Sequence, residues 1–93
     1  MNKSQLIERM AQESKLSYKE ASSILDTVLN TMTEALAKGE GIEIRGFGSF
    51  TVKEYDAYKG RNPKTGEVID VAPKKLPFFK VGKELRDSLN KSR

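Results

Sequence analysis

The chain has 93 residues, neither Cys nor His, and 17 Lys and Arg against 13 Asp and Glu, a net charge of +4. That size fits one small domain, and the missing side chains exclude disulfides, thiolate chemistry, the usual zinc ligand sets, Ser-His-Asp triads and imidazole acid–base catalysis. Residues 1–41 hold five Lys/Arg and six Asp/Glu, net −1, whereas residues 42–93 hold twelve and seven, net +5. Such asymmetry suits a polyanionic partner, either nucleic acid or a membrane surface, or else a basic solvated face with no partner.

The N-terminus, Met1 to Glu8, has no apolar core of signal-peptide length, and no apolar run is long enough to span a membrane. A soluble intracellular protein is expected. Asn2 is placed to cap a first helix on which Leu6, Ile7, Met10 and Ala11 share one face. Ser17-Tyr18-Lys19-Glu20 spells a capping box for a second helix, with Leu16 as a possible staple. Ala21, Ile24, Leu25, Val28, Met32 and Leu36 then form a long apolar stripe, and Gly39 is a natural stop with Lys38 at the helix's negative end. These stripes read as core.

Ile42-Glu43-Ile44-Arg45 alternates as a half-buried strand does. Gly46-Phe47-Gly48 turns the chain with Phe47 anchoring inward, and Ser49 to Lys53 resumes the alternation, so a hairpin is expected. No GxGxxG or P-loop is present, which argues against nucleotide binding. Residues 53–75 read as an arm: Tyr55 and Tyr58 give β propensity outbound, and Val68, Ile69 and Val71 give it on the return. Between them lies Gly60-Arg61-Asn62-Pro63-Lys64-Thr65-Gly66-Glu67, a polar turn in which Pro presets φ and Gly takes φ > 0. Leu76 to Val81 is a further strand whose Pro77 suggests an edge or a bend. A short helix follows from Lys83 to about Asn90, then a tail at Lys91-Ser92-Arg93.

Without the arm, about 70 residues remain to build a core, which is marginal for two helices and a thin sheet. The stripe on the second helix is also richer than one such sheet can cover. Both points predict an obligate dimer sharing one core.

The order helix, helix, strand, Gly-Phe-Gly turn, charged arm with an Arg-Asn-Pro tip, short helix resembles the bacterial HU/IHF family of DNA-bending, nucleoid-associated proteins. The motifs that carry the resemblance are Gly46-Phe47-Gly48-Ser49-Phe50, Gly60-Arg61-Asn62-Pro63-Lys64-Thr65-Gly66 and Gly82-Lys83-Glu84-Leu85, within a match from Met1 to Asn90. The resemblance implies an α+β fold: an intertwined dimer with a helical body, a three-stranded sheet per chain and a long protruding β-hairpin arm. It makes residues 1–93 one domain, with a helical dimerisation part (1–40), a sheet (41–81) bearing the arm (53–75), and a C-terminal helix and tail (82–93).

It further implies double-stranded DNA as partner, no cofactor or metal, no catalysis, and a cytoplasmic, nucleoid location. Pro63 matches the wedge that enters between base pairs, and Arg61, Asn62 and Lys64 match its minor-groove and backbone neighbours. Lys3, Lys80 and Lys83 match positions that hold flanking phosphates, with Gly46 and Gly48 keeping the turn close to the DNA backbone. Charge and placement add Lys53, Lys59, Lys74 and Lys75 as phosphate contacts. Many members carry Arg where this chain has Tyr55 and Tyr58, and Glu54, Asp56 and Asp70 make the arm more acidic.

Two family readings stay open. One is an HU-like protein of low sequence specificity, as a homodimer. The other is an IHF-like subunit that bends specific sites, possible also as a heterodimer with a related chain. Residues 42–50 look like the IHF β-subunit, where positions matching Glu43 and Arg45 take part in sequence preference. Alternatively Glu43 and Arg45 form a surface ion pair worth little. Outside the family, a protein-interaction module that augments a partner's sheet edge is the main competitor. A carboxylate hydrolase lacks paired acids in an apolar pocket, and membrane binding lacks a basic amphipathic helix.

Overall fold

The computed structural model describes residues 1–91, and the tail positions Ser92 and Arg93 lie outside them. Three helices and five strands are present: α1 (Lys3–Ser14), α2 (Tyr18–Ala37), β1 (Ile42–Ile44), β2 (Gly48–Tyr55), β3 (Tyr58–Arg61), β4 (Val68–Val71), β5 (Lys74–Val81) and α3 (Lys83–Leu89). The chain divides into two compact units, Met1–Ala35 and the remainder from Leu36.

In the first unit both helices begin on capping boxes. Asn2 Oδ1 accepts from the Gln5 N–H, and Gln5 Oε1 accepts from the Asn2 N–H, each at 2.9 Å. Ser17 and Glu20 repeat the exchange at 3.1 Å, as their spacing predicts. The Ser17 N–H, and then its hydroxyl, hold the Glu20 carboxyl below the usual glutamate range. Lys15 ends α1 in the left-handed region (φ 55), and Gly39 (φ 81) donates its N–H to the Leu36 carbonyl beyond α2.

Only Ile7, Ala21 and Leu25 are buried among the described side chains, with Met10 and Ala11 packed against them. Ile24 and Val28, on the predicted stripe of α2, remain 48% and 47% exposed. Full burial of such a side chain contributes about 1.5–3 kcal/mol, so a large share of the available stabilisation is unused in a single chain.

In the second unit β1, β2 and β5 form an antiparallel sheet in that order. Register sorts its residues by face. Ile42, Ile44, Phe50, Val52, Pro77, Phe79 and Val81 share one side; Glu43, Ser49, Thr51, Lys53, Phe78 and Lys80 share the other. Phe50 and Phe79 stack at 4.8 Å between centroids on the apolar side, but no side chain there is buried. Pro77 pairs with Val52 on β5, an edge strand within the chain, where its missing N–H is tolerated.

Three expectations change. Arg45 belongs to the turn, not to the strand, because β1 ends at Ile44 and Gly46 takes φ 85. Phe47 leans on Phe79 at 5.6 Å yet stays 43% exposed, so it is not anchored within a single chain. The arm over 53–75 is present but is not one ladder. Its base belongs to β2 and β5, and its outer part is a separate two-stranded ribbon, β3 with β4. The interruption falls at Asp56-Ala57 and Ala72-Pro73. Asp and Ala are poor strand formers, and Pro73 has no N–H to give the ladder.

Candidate nucleic-acid interface

The outermost turn is held by hydrogen bonds of its own. Asn62 donates its N–H to the Glu67 carbonyl at 2.8 Å and accepts from the Gly66 N–H at 2.7 Å. Its Oδ1 also accepts from the Lys64 N–H at 2.9 Å. The Arg61 guanidinium donates to the Gly66 carbonyl at 2.9 Å, and Gly66 takes φ 77. Pro63 and Lys64 are left exposed at the corner. An apolar ring stands free, flanked by cations on a closed turn.

Below the tip, the ribbon pairs Tyr58 with Val71, Lys59 with Asp70, Gly60 with Ile69 and Arg61 with Val68. Tyr58, Val71 and Ile69 each bring a carbon within 3.6–3.7 Å of where a Gly60 Cβ would sit, so the three side chains surround the space that glycine leaves open. Nearer the sheet, Lys53 lies 3.7 Å from the centroid of Phe78, a cation–π contact worth about 0.5–1 kcal/mol when exposed. Lys75 pairs with Glu54 at 3.6 Å, while Lys74, one residue earlier, lies on the opposite face beside Tyr55. Phosphates would compete with Glu54 for Lys75, whereas Lys74 has no ion pair among the described residues.

A shallow concavity in the second unit gathers the remaining cations. Arg45, Lys80, Lys83 and Arg86 line it together with Gly46, Gly48 and a single acid, Glu43. Among the described residues Glu43 and Arg45 form no ion pair with each other. The glycines have internal reasons as well. A Cβ on Gly48 would lie 2.5 Å from the Lys80 carbonyl oxygen and 2.7 Å from the Phe79 ring, and one on Gly46 would lie 2.8 Å from a Glu84 carboxylate oxygen.

In the first unit Lys3 is held by Asp26 at 2.8 Å, both side chains about half exposed. Arg86 escaped the sequence reading. It lies three residues after Lys83 on α3, the spacing that puts two side chains on one helix face, and that signal would have found it.

This geometry, an exposed proline tip beyond a basic concavity, is that of a protein built to hold a polyanion. The family described as bacterial DNA-binding protein matches residues 1–90, and the chain belongs to it. Within it, HU-1 from Halalkalibacterium halodurans is 46% identical over 89 residues, covering 96% of this chain and 99% of that protein. HU from Geobacillus stearothermophilus is 47% identical over the same shares. A cocrystal structure of Anabaena HU with DNA matches with a TM-score of 0.87 at 35% identity, covering 99% of this chain and all of the other. The likeness to HU extends across the α+β fold and the arm, and it favours the HU-like reading over the IHF-like one.

Proposed function

We propose that this protein is an architectural, HU-like DNA-binding protein that bends and compacts duplex DNA on the bacterial nucleoid, in the cytoplasm, with low sequence specificity. The observation that carries this is the exposed Pro63 on a cation-flanked closed turn, standing on a ribbon that buries nothing of its own. In minor-groove architectural proteins, HU and IHF among them, an apolar wedge unstacks a base step at a few kcal/mol, and the bent duplex meets more protein surface. Proline suits the task, being rigid, apolar and without an N–H to desolvate.

The partner is a second copy of the chain. Three buried side chains cannot stabilise the protein alone, and the α2 stripe and the apolar sheet face await a cover. Residues 1–40 serve dimerisation, 41–81 the sheet with its arm 53–75, and 82–93 the closing helix and tail. In this reading Pro63 is the wedge, with Arg61, Asn62, Lys64 and Lys59 beside it. Tyr55 and Tyr58 pack on deoxyribose or on the arm. Lys53, Lys74 and Lys75 meet phosphates along the arm, and Lys3, Arg45, Lys80 and Lys83 hold the flanks with Gly46 and Gly48. The protein acts by charge and shape; no reaction is assigned to it.

The test is a titration of an A·T-rich and a G·C-rich duplex, each with an end-to-end energy-transfer pair, at two salt concentrations. Salt-sensitive binding with a rise in transfer that Pro63→Ala abolishes is expected. Similar affinities for both duplexes fit the HU-like reading, and a strong preference for one would turn it towards site-specific bending. Salt-insensitive behaviour, or no binding, refutes it.

A further inference from the structure

We infer that Asn62 is a positioning residue for the Pro63 wedge, acting through its side-chain oxygen, an assignment that rests on the bending function proposed above. Asn62 is half-buried in a tip whose residues from Pro63 to Asp70 are all exposed. It commits three groups to the turn: its N–H to Glu67, its carbonyl to Gly66 and its Oδ1 to the Lys64 N–H. The residue before a proline is confined to extended backbone, and proline fixes its own φ. Two residues of the turn are therefore preset by covalent structure. The Oδ1 bond to Lys64 sets the next one, bridging the proline itself in an Asx turn.

Pro63 cannot fix its own orientation by hydrogen bonding, because its nitrogen carries no proton. Neighbours must do it. Asn62 holds the chain before and after the ring, and the Arg61 guanidinium clamps the far side of the turn through Gly66. A wedge entering a base stack needs this fixity, since any freedom lost at insertion weakens the bent complex. The side-chain oxygen is engaged by the Lys64 N–H, whereas the side-chain NH2, the donor that minor-groove acceptors would take, makes no hydrogen bond among the described residues.

Asparagine's two ends can be separated. Asn62→Asp keeps the acceptor for Lys64 and lacks the NH2; Asn62→Ala lacks both. Both variants, with the wild type and Pro63→Ala, are brought to saturation on one A·T-rich duplex carrying an energy-transfer pair, so that the aspartate's charge does not enter through affinity. In parallel, amide hydrogen exchange at Lys64 is followed in the DNA-free protein.

The expected result in Asn62→Asp is a slowly exchanging Lys64 amide and transfer well above that of Asn62→Ala. Asn62→Ala loses the slow exchange, its transfer falling towards that of Pro63→Ala. Wild-type transfer in Asn62→Ala overturns the inference and leaves the bending function standing. Loss of transfer in Asn62→Asp equal to that in Asn62→Ala also overturns it, because the NH2 would then be the working group. A wild type that binds without a rise in transfer sinks the bending function and this inference together.

Discussion

In the function proposed above, the tip of the arm and the basic concavity divide the labour of holding DNA in opposite ways. At the tip one uncharged ring does the work, and its neighbours are occupied mainly with each other: Asn62 with Lys64, Gly66 and Glu67, and Arg61 with Gly66. In the concavity Arg45, Lys80, Lys83 and Arg86 gather, with Glu43 on the lining, Asp87 3.9 Å from Arg86 and the Glu84 carboxylate beside Gly46. Like charges so gathered want counter-ions more than they want each other. Shape is concentrated in one place and charge in another, so bending and affinity should separate under mutation.

The sharpest break is Pro63→Ala. Energy transfer at saturation should fall to that of the free duplex, while the salt dependence of binding falls only by the flanking phosphates that a straight duplex no longer reaches. Next come Lys80→Ala, Lys83→Ala and Arg86→Ala. Each removes two cations from the homodimer, so each should lower the slope of log affinity against log salt by about 1.8, twice the value for one phosphate neutralised, and leave the bend of the saturated complex intact. A bend that shrinks with the slope would show that the concavity shapes the DNA as well as holding it.

A smaller effect concerns Lys3, which lies outside both regions and must leave Asp26 to meet a phosphate. An exposed pair of this kind is worth about 0.2–1 kcal/mol and the homodimer holds two, so Asp26→Asn should tighten DNA binding by a factor of at most about 30, read by titration at low salt. The smallest is a control on stability. Glu20→Gln keeps the capping box but has no carboxylate. Because Glu20's folded pKa is lowered, its charge stabilises the fold above the ordinary glutamate range and ceases to as pH falls through the lowered value. The difference in Tm between wild type and Glu20→Gln should therefore be present at neutral pH and vanish in acid, with DNA bending at neutral pH unaffected.

Local chemistry made much of this legible in the chain itself. Capping residues act within four positions, so Asn2, Ser17 with Glu20, and Gly39 mark the helices without knowledge of anything distant. The turn at Gly46 and the tip at Pro63 are equally local. What escaped depends on register or on a second chain. The cation–π contact of Lys53 with Phe78 requires knowing that Thr51 faces Phe78 across the ladder. The face difference between Lys74 and Lys75 has the same origin. Phe47 reads as an inward anchor because it is aromatic between glycines, yet in a single chain it has little beyond Phe79 to be inward of. The arm's interruption was signalled by Pro73, whose effect on a ladder depends on which neighbour it faces.

That interruption has a thermodynamic consequence. Beyond Asp56 and Pro73 the ribbon is cut off from the sheet's hydrogen-bond ladder, and a two-stranded ribbon by itself is at best marginally stable in water. Tyr58, Val68 and Ile69 stay 58%, 57% and 46% exposed on it. In the proposed complex the walls of a nucleic-acid groove would supply these residues with the missing half of a core. Association should then carry the negative heat-capacity change that accompanies apolar burial, as if the last stage of folding were completed on the ligand.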